Sequence, residues 1–260
     1  MAEEFASLND KVALVTGAAT GIGEGVARKL RACGMRIAIA DINSEGAAGL
    51  ARELGDGCRA FTLDVTDRAA VEACISTVED TIGPIFGLAH VVGIQRFGQV
   101  SDMAEADFDA VLNINVKGAF LVAQAVSRRM LARERGSIVA IASTAARTPR
   151  IAQGAYCASK AAVAQLMCVA GLELASKNIR VNCVSPGVTE TGMVQRLMAT
   201  METPNVVVEG NLDAYRLPVP LGRLARSEEI ADVVAFLLSD RSTYLTMQDI
   251  VVDGGGAMGA

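Results

Sequence analysis

Val12-Ala13-Leu14-Val15-Thr16-Gly17-Ala18-Ala19-Thr20-Gly21-Ile22-Gly23 runs from a short apolar segment through a glycine-rich loop into a helical pattern. Glycines allow the backbone to turn sharply and to approach a pyrophosphate closely. The helix that follows offers unpaired N–H groups and the positive end of its dipole to the same anion. The stretch therefore predicts a dinucleotide site formed by Gly17, Thr20, Gly21, Ile22 and Gly23.

The rest of the chain repeats this alternation of apolar and amphipathic segments. The short apolar runs, each predicted to be a buried strand, are 12–16, 36–40, 60–63, 85–92, 137–142, 179–184 and 250–252. The predicted helices between them are 22–33, 44–54, 68–82, 104–132, 153–176 and 228–238. Such alternation predicts an α/β fold. We expect a single NAD-binding domain over residues 1–260, with one Rossmann-type, doubly wound sheet of seven parallel strands and helices on both faces.

The composition sets limits on the partners. Of the 260 residues, 51% are hydrophobic and 4% aromatic, and the formal net charge is −5. A mildly acidic chain lacks the basic surface that phosphate backbones require, so we expect no nucleic-acid partner. The densest basic cluster is interpreted as a solvated helix end, with docking of an acidic carrier protein as the alternative. It consists of Arg128, Arg129, Arg133 and Arg135.

Cysteine spacing and hydropathy bear on metals and location. The six cysteines include no C-x-x-C pair and no spacing typical of metal ligands, so we expect no metal site. Residues 1–10 have no apolar core of the kind a signal peptide has. No window approaches the ~20 apolar residues that cross a bilayer. These features favour a cytoplasmic protein with no membrane association.

An acidic residue follows the second predicted strand. It is Asp41, and 41 − 23 = 18 residues separate it from Gly23. A carboxylate at this place accepts hydrogen bonds from the adenosine ribose hydroxyls and repels a 2′-phosphate. Ala18, Ala19 and Ile42 provide no cation for that phosphate. We therefore expect NAD rather than NADP, with Asp41 and Ile42 in the cofactor site.

A second acidic residue, Asp64, follows the third predicted strand and precedes Val65. Its carboxylate can accept a hydrogen bond from the adenine amino group, which would place Asp64 and Val65 in the cofactor site. The alternative is a turn residue just before the next helix, ahead of Thr66 and Asp67.

Tyr156 and Lys160 lie four residues apart at the start of a predicted helix. Positions i and i+4 share one helix face, so an ammonium is expected near a phenol. A free tyrosine has a pKa near 10, and a nearby cation lowers it. Lys160 together with a positive nicotinamide ring would lower the pKa of Tyr156 enough for it to act as a general acid or base.

Two further polar residues extend this pair. Ser143 ends the fifth predicted strand, and open α/β sheets bind ligands at the carboxyl ends of their strands. A hydroxyl there can orient a substrate oxygen. Asn115 lies in the long fourth predicted helix and could hold a water in a proton relay to Lys160, or could be a core residue that bends the helix.

In chain order, these motifs resemble those of the short-chain dehydrogenase/reductase family over about residues 10–260. The matching features are the glycine loop, Asp41, Asn115, Ser143, Tyr156, Lys160 and Pro186-Gly187. The resemblance implies that Tyr156 is the acid/base and that Ser143 positions the substrate. It also implies that Lys160 holds the nicotinamide ribose and lowers the Tyr156 pKa, while Asn115 supports the proton relay.

The same resemblance implies further contacts and an assembly. The residues implied at the nicotinamide end are Tyr156, Lys160, Pro186, Gly187, Val188 and Thr191. The implied assembly is a homotetramer in which the long fourth and fifth predicted helices meet a partner. The small residues that would let those helices approach closely are Ala161, Ala162, Ala164 and Gly171.

One motif departs from the family. Such proteins usually have N-N-A-G or N-A-A-G after the fourth strand, whereas this chain has His90-Val91-Val92-Gly93. Gly93 is expected to keep the backbone turn, and Val92 and Gly93 are expected beside the cofactor. His90, the single histidine, either replaces an Asn that tethers the central strands or belongs to a modified cofactor pocket.

Within the family, several segments resemble dehydrogenases of catechol siderophore biosynthesis that oxidise 2,3-dihydro-2,3-dihydroxybenzoate. They are residues 145–151, 171–175, 184–191, 220–225 and 245–255. The resemblance implies a cyclohexadiene carboxylate whose ring hydroxyl is oxidised, with aromatisation to 2,3-dihydroxybenzoate. The ring carboxylate requires a cation, and Arg147 and Arg150 follow Ser143 closely. The predicted substrate ligands are therefore Ser143, Arg147, Arg150 and Tyr156, with surface charges as the alternative for both arginines.

The segment at about 189–217 has no clear period and is rich in methionine. It is predicted to be a substrate lid, with an ordinary surface excursion as the alternative. Other substrates considered are trans-2,3-dihydro-3-hydroxyanthranilate and a 3-oxoacyl thioester, although Asp41 argues against the NADPH that reductases of such thioesters prefer. A non-catalytic NAD-binding regulator is the alternative of another class, because a fold alone does not settle function.

Overall fold

A seven-stranded parallel sheet runs through the protein, whose computed structural model describes residues 5–199 and 205–258. Within those residues the strands are β1 Val12–Thr16, β2 Arg36–Asp41, β3 Cys58–Thr62, β4 Ile85–His90, β5 Gly136–Ile141, β6 Ile179–Pro186 and β7 Asp249–Val252. They lie in the order β3-β2-β1-β4-β5-β6-β7, and every neighbouring pair is parallel. The predicted α/β class and seven-stranded parallel sheet are confirmed.

Helices cover both faces of the sheet, as predicted. In the described parts of the chain they are α1 Gly21–Ala32, α2 Ser44–Leu54, α3 Arg68–Thr81, α4 Glu105–Leu112, α5 Gly118–Leu131, α6 Gly154–Leu174, α7 Gly192–Ala199, α8 Val206–Glu209 and α9 Ser227–Leu238. Side chains of α1, α2 and α9 form one core cluster with the sheet, and those of α3, α5 and α6 form the other.

β1 shows why the strands are uniformly apolar. All five of its residues are buried. Its side chains alternate between the two core clusters, with Leu14 in one and Val15 in the other. A parallel sheet covered on both faces has no solvated side, so its strands are continuous apolar runs.

The strand order reverses between β1 and β4. From β1 the chain proceeds outward through β2 and β3, then returns to the other side of β1 as β4. The loops after β1 and β4 therefore diverge at their carboxyl ends and leave a crevice where such folds bind ligands. The glycine loop and the residues after His90 line this crevice.

The helix predicted over residues 104–132 is interrupted. A π-turn, Asn113–Lys117, separates α4 from α5, and the backbone N–H of Gly118 donates to the carbonyl of Asn113. The sequence did not predict this interruption, because the apolar pattern continues across it. π-turns frequently occur at functional sites, and this one contains Asn115.

Two long helical stretches, 105–131 and 154–177, are apolar and long enough to meet length and composition criteria for crossing a membrane. Both contribute inward side chains, such as Val122 and Val163, to a core cluster of the sheet. Their outward sides also carry apolar residues, namely Phe108, Phe120, Leu131, Val169 and Leu172. Packing on the sheet accounts for the apolar inner sides, and the outer sides form a candidate contact surface.

Candidate active site

The glycine loop after β1 is shaped by close backbone approach. Gly17 and Gly21 have φ angles of 69° and 61°, which L side chains rarely adopt. A Cβ at Gly23 would lie 2.0 Å from the carbonyl oxygen of Gly17. Thr20 precedes α1 and makes no side-chain capping hydrogen bond. The loop and the helix start therefore form a cradle that fits an anionic pyrophosphate.

Asp41 ends β2 beside this cradle. Its carboxylate accepts hydrogen bonds from the backbone N–H of Ala19 and of Asn43, both at 2.9 Å. These bonds fix the carboxylate against the loop and leave further acceptor capacity on both oxygens. Ile42 next to it is 70% exposed, so the crevice has an open apolar patch at this point.

Asp64 organises the turn after β3. One of its carboxylate oxygens accepts hydrogen bonds from the backbone N–H and the hydroxyl of Thr66, both at 2.8 Å. These bonds hold the pKa of Asp64 below its usual range. The helix cap proper is Asp67, which accepts from Ala69 and Ala70. The structure thus supports the turn interpretation of Asp64, and its contact with adenine stays a prediction.

Val65 is buried and packs on the start of α5, where a Cβ at Gly118 would lie 2.6 Å from the Cγ2 atom of Val65. Val92 lies against the glycine loop, because a Cβ at Gly17 would be 3.0 Å from the Val92 backbone nitrogen. The bulk of Val92 is therefore accommodated by the glycine opposite. The two valines stand on the side of the crevice where the cofactor was predicted.

Gly93 serves a different purpose from the one predicted. The φ angle of Gly93 is not positive, so the backbone conformation at this position does not require glycine. A Cβ there would lie 3.1 Å from the Nζ atom of Lys160 and 3.6 Å from an amide oxygen of Asn115. Gly93 is thus required for the space it leaves to Lys160.

The residues after β6 close the other end of the crevice. The N–H of Gly187 donates to Val252, and a Cβ at Gly187 would lie 2.7 Å from the Cβ of Asp253. The carbonyl of Val188 accepts from Ala225. The Thr191 side chain reaches the glycine loop, at 3.2 Å from the Cβ position of Gly21. The segment from Pro186, the last residue of β6, to Thr191 therefore faces the dinucleotide cradle.

Ser143 and Tyr156 meet at the carboxyl end of β5. Ser143 comes two residues after the strand and accepts a hydrogen bond from the N–H of Ala145 at 3.1 Å. Tyr156 lies in the first turn of α6, half-buried, and its phenol is hydrogen-bonded to Ser143. The predicted pair of hydroxyls is therefore brought together.

Lys160 lies one helical turn beyond Tyr156 and is 4% exposed. Its Nζ atom donates to the carbonyl of Ile141 at 2.8 Å and lies 5.8 Å from the centre of the Tyr156 ring. Burial lowers the pKa of Lys160 to about 8. The amine is thus close to the boundary between its charged and neutral forms near neutral pH.

The expected lowering of the Tyr156 pKa is not found in the protein alone. Burial raises the pKa of the phenol above its usual value, while the hydrogen bond to Ser143 acts in the opposite direction. The Lys160 ammonium gives its hydrogen bond to Ile141 rather than to the phenol. A lowered Tyr156 pKa therefore requires the positive charge of a bound nicotinamide ring.

Asn115 is committed to protein contacts. Its amide nitrogen donates to the carbonyl of Ile94 and to the hydroxyl of Ser159, both at 2.9 Å, and its amide oxygen accepts from the N–H of Ile94 at 2.8 Å. Both amide hydrogens are thus engaged, so they are not available to a relay water. Asn115 ties the segment after β4 to α6, and a relay role for its oxygens stays a prediction.

Arg147 has a partner within the protein, and its contact with a substrate carboxylate stays a prediction. Its guanidinium forms an ion pair with Asp249 at 3.2 Å. Both residues line a cavity of about 440 Å³ between α6 and the β6–β7 edge, which Ser143, Tyr156 and Lys160 do not line. Arg147 was predicted to bind substrate because it follows Ser143 closely, but the tight turn over Thr144–Ala146 directs it elsewhere.

Arg150 has a different setting. It is half-buried in the segment that joins Ser143 to Tyr156, and it makes no ion pair with any carboxylate of the described residues. Arg216 lies near it: burial lowers the pKa of Arg216, and the charge of Arg150 lowers it further. Arg216 donates to the carbonyl of Val207 at 3.1 Å and pairs with no described carboxylate. The two cations are thus near enough to interact electrostatically, and sequence reasoning missed Arg216 because no local motif marks it.

The segment predicted to be a lid is partly helical. Between residues 189 and 217 the structure describes α7, α8 and a short turn, Leu212–Ala214. Residues 200–204 of the predicted lid, with Thr203 and Pro204, lie outside the described residues. Since Arg216 and Val207 belong to this segment, it contributes to the surroundings of Arg150. Closure over a substrate stays a prediction.

Comparison with known proteins assigns the family. The sequence model of a family described as Enoyl-(Acyl carrier protein) reductase matches residues 17–256. The chain is 40% identical, over 97% of its length and 98% of the relative's, to 2,3-dihydro-2,3-dihydroxybenzoate dehydrogenase of Bacillus subtilis (strain 168). The chain belongs to the short-chain dehydrogenase/reductase family.

Other relatives of this short-chain dehydrogenase/reductase have other activities. D-threitol dehydrogenase of Mycolicibacterium smegmatis is 39% identical, over 95% of this chain and 93% of that protein. The crystal structure of gox2181 superposes with a TM-score of 0.91 and 31% identity, covering 99% of this chain and all of the other. The comparisons therefore establish an oxidoreductase and leave its substrate open.

The residues of this short-chain dehydrogenase/reductase fit a nicotinamide dinucleotide. Gly17 and Gly23 leave a cradle that a Cβ would fill. Asp41 lies at the ribose position that such folds use, and Thr191 reaches across toward the loop. The family typically uses NAD or NADP, and the cradle accommodates the pyrophosphate that both share.

We predict that Gly23→Ala weakens nucleotide binding by at least about tenfold, or 1.4 kcal/mol. The new Cβ would overlap the carbonyl of Gly17, so the loop must shift away from the pyrophosphate. Gly49→Ala is the matched control, because no atom lies within 4 Å of its Cβ position. Titration calorimetry with the dinucleotide, alongside circular dichroism to verify folding, measures the effect. Equal affinities in the two variants would contradict the assignment of the cradle.

Proposed function

We propose that the chain is an NAD-dependent dehydrogenase of a dihydroxycyclohexadiene carboxylate, converting 2,3-dihydro-2,3-dihydroxybenzoate to 2,3-dihydroxybenzoate in the cytoplasm as part of catechol siderophore biosynthesis. The observation that carries it is the Ser143–Tyr156–Lys160 centre, together with Arg150 in the segment that joins Ser143 to Tyr156 and Arg216, whose charge interacts with that of Arg150. Six free thiols agree with a reducing compartment.

NAD is favoured by the surroundings of Asp41. Its carboxylate is held at the loop by Ala19, where a 2′-phosphate would meet a negative charge. Positions 18, 19 and 42 offer alanines and an exposed isoleucine rather than a cation. An acidic, cation-free corner suits two ribose hydroxyls and repels an added phosphate.

The site divides the work of alcohol oxidation among its side chains. NAD⁺, when bound, accepts the hydride from the carbinol carbon. Ser143 donates its hydroxyl hydrogen bond to the substrate oxygen and holds it beside the Tyr156 phenol. Tyr156, as phenolate, takes the hydroxyl proton. Lys160 keeps a positive charge beside the phenolate. The ketone that results tautomerises to a phenol, and aromatisation makes the oxidation effectively one-way.

The carboxylate of such a ring needs a cationic partner. Arg150 and Arg216 repel each other, and both guanidiniums keep donors that no described carboxylate occupies. A bound carboxylate would relieve that repulsion and accept charge-assisted hydrogen bonds from the pair. Similarity to the Bacillus subtilis relative, a 2,3-dihydro-2,3-dihydroxybenzoate dehydrogenase, supports the same assignment.

A 3-oxoacyl thioester carried on an acyl carrier protein is the second candidate, since the matching family bears a carrier-protein reductase description. Two of the four arginines in the basic cluster that would dock an acidic carrier are paired with carboxylates. Arg128 pairs with Glu72, and Arg133 pairs with Glu79. This pairing favours the interpretation of a solvated helix end. trans-2,3-Dihydro-3-hydroxyanthranilate would fit the same arginines, and only turnover separates it from the first candidate.

A homotetramer is part of the proposal. The outer sides of α4, α5 and α6 expose large apolar side chains, and α6 has small residues, Ala161 and Ala162 among them, between these. Apolar surface of this extent is typical of protein interfaces. A second copy of the chain is the partner that the family resemblance implies.

The substrate assignment is tested with a panel of dihydroxycyclohexadiene carboxylates and neutral cyclic alcohols, each with NAD⁺ and NADP⁺. We expect turnover of the carboxylates with NAD⁺, followed by the absorbance of the reduced nicotinamide. Tyr156→Phe should lower kcat about 10²- to 10⁴-fold while retaining dinucleotide binding, because it removes the proton acceptor. Tyr244→Phe, at a fully exposed tyrosine, is the matched control. Activity with NADP⁺ alone would refute the role given to Asp41.

Removal of either cation should raise KM selectively. We expect Arg150→Met and Arg216→Met each to raise KM about tenfold or more for a carboxylate substrate, since a hydrogen bond to a charged group contributes about 1.5–3 kcal/mol. KM for a neutral cyclic alcohol should change little. Arg147→Met is the control, because its guanidinium pairs with Asp249. Equal KM changes for charged and neutral substrates would count against a carboxylate site.

The assembly is tested by light scattering coupled to gel filtration. We expect the chain to elute with about four times its own mass. Leu172→Glu places a charge on an exposed leucine of the apolar surface of α6 and should reduce the mass. Leu221→Glu, at an exposed leucine outside these helices, is the control. Ala158→Glu would be less informative, because Ala158 lies in the first turns of α6 beside the catalytic residues. A monomer at all concentrations would exclude the proposed tetramer.

A further inference from the structure

His90 has one ring nitrogen engaged and one that is not. It ends β4, is 2% exposed, and its Nδ1 atom lies 2.9 Å from the hydroxyl of Thr16 on β1. The two residues are direct register partners, so the contact tethers the central strands. The Nε2 atom is buried and has no hydrogen-bond partner among the residues that the structure describes. A buried nitrogen of this kind is unfavourable unless something binds it.

The ring lies on the catalytic side of the sheet. Side chains alternate along β4, and Leu88, two residues earlier, belongs to the core cluster that α5 and α6 cover. His90 therefore points into the layer from which Lys160 comes. On the neighbouring strand its register partner is Ala140, and the next residue, Ile141, accepts the hydrogen bond of the Lys160 amine. The ring and the ammonium thus occupy adjacent strand ends on one face.

The ammonium of Lys160 has donors to spare. An ammonium carries three hydrogens, and the described hydrogen bond to Ile141 uses one. In the cofactor complex, the Tyr156 phenol or the nicotinamide ribose can accept a hydrogen bond from a second hydrogen of the ammonium. A third remains, and the amine lies in a layer where Gly93 leaves space and where Asn115 has already committed its amide hydrogens. A neutral acceptor on that side would stabilise the charged amine.

We infer that His90 is a positioning residue for the proposed reaction: its Nε2 atom accepts a hydrogen bond from a water molecule bound to the Lys160 amine, and so keeps that amine charged and aimed at Tyr156. This inference rests on the proposed function only for its kinetic consequence. The ring gains and loses no proton. Its Nδ1–H donates to Thr16, which leaves the Nε2 lone pair free to accept.

The charges around the ring agree with this arrangement. Burial, with a smaller contribution from the charge of Lys160, lowers the pKa of His90 to about 3. The titratable groups around Lys160 are Tyr156 on the same helix and Cys183 on β6, whose thiol pKa burial raises. Both therefore remain uncharged in the free protein. An uncharged His90 adds no second cation beside Lys160, whereas a protonated one would repel it.

The tautomer is directly measurable, because the chain has a single histidine. Nitrogen-15 NMR of the intact protein labelled at histidine should show a neutral Nδ1–H tautomer whose ring stays unprotonated from about pH 6 to about pH 9, with at most the small change in shift that follows the titration of Lys160. Lys160→Met should shift the Nε2 resonance, and Lys177→Met, at a half-exposed lysine paired with Glu134, should leave it in place. An Nε2–H tautomer, protonation of the His90 ring near neutral pH, or equal shifts in both variants would overturn the inference. None of these readouts requires a substrate.

The pH dependence of kcat/KM distinguishes a strand-tethering role of His90 from a positioning role. His90→Leu removes the acceptor and the tether, whereas Thr16→Val removes only the tether. With any alcohol the enzyme oxidises, His90→Leu should move the alkaline limb of the kcat/KM profile to lower pH by about one unit, because the Lys160 amine loses its charge sooner. Thr16→Val should lower Tm and keep the limb in place. If His90→Leu fails to fold, His90→Asn, whose side chain is too short to span to the water, serves instead.

The outcomes remain separable. A wild-type limb in the His90 variant, or the same displaced limb in a Thr16→Val protein that keeps the Nδ1–H tautomer by the same NMR measurement, would show that His90 is a strand tether alone. Absence of turnover with every carboxylate would refute the proposed substrate and leave the NMR result to decide the role of His90.

Discussion

The site depends on holding the ammonium of Lys160 out of water. Moving a charge into the interior costs several kcal/mol unless hydrogen bonds replace its hydration. The carbonyl of Ile141 provides one such bond, and Gly93 provides the space. The lowered pKa of Lys160, to about 8, shows that this compensation is incomplete in the protein alone. Further acceptors, from a bound ribose or a bound water, would favour the charged form. Cofactor binding and charge at the catalytic centre are thereby coupled.

The surroundings of Lys160 are rigid for a reason. Asn115 binds the backbone of Ile94 through both its oxygen and its nitrogen, and it reaches Ser159 on the helix that carries Lys160. The π-turn places the asparagine where it can do this, since an extra residue in the turn redirects the side chain. The segment after β4 and the first turns of α6 are consequently held together by the hydrogen bonds of Asn115. A displacement of either would move the amine relative to the phenol.

Local spacing predicted the parts of the site that follow local rules. The glycines, Asp41, and the Tyr156–Lys160 pair are set by a loop, a strand end and one helical turn, so the sequence was sufficient for them. The arginines were not predictable in this way. Arg147 and Arg150 are three residues apart, and only the turn between β5 and α6 decides that one reaches Asp249 while the other approaches Arg216. Arg216 comes from a distant segment, and the π-turn shares the apolar pattern of an ordinary helix.

The departure at His90-Val91-Val92-Gly93 is resolved by its neighbours. Val92 is bulky, yet it lies against Gly17, which has no side chain to displace. The larger side chain of Val92 on one side of the crevice is therefore offset by the missing side chain of Gly17 on the other. His90 retains the strand tether through Thr16, which supports the structural interpretation of this residue. Its second nitrogen, on the Lys160 side, is what an asparagine at the same position would be too short to present.

The resting state of the catalytic pair bears on the kind of substrate it suits. Burial keeps the Tyr156 phenol protonated in the free protein, so the base appears only when a cationic ring lies beside it. Such a base is conditional on the bound cofactor, so proton removal is confined to the complex that also contains the hydride acceptor. Under the proposed function the product removes itself by aromatising, so the ketone need not be held by a strong base. The proton that Tyr156 has taken can then leave after the hydride transfer is complete, while the Lys160 ammonium, which is already protonated, keeps its charge beside the phenol.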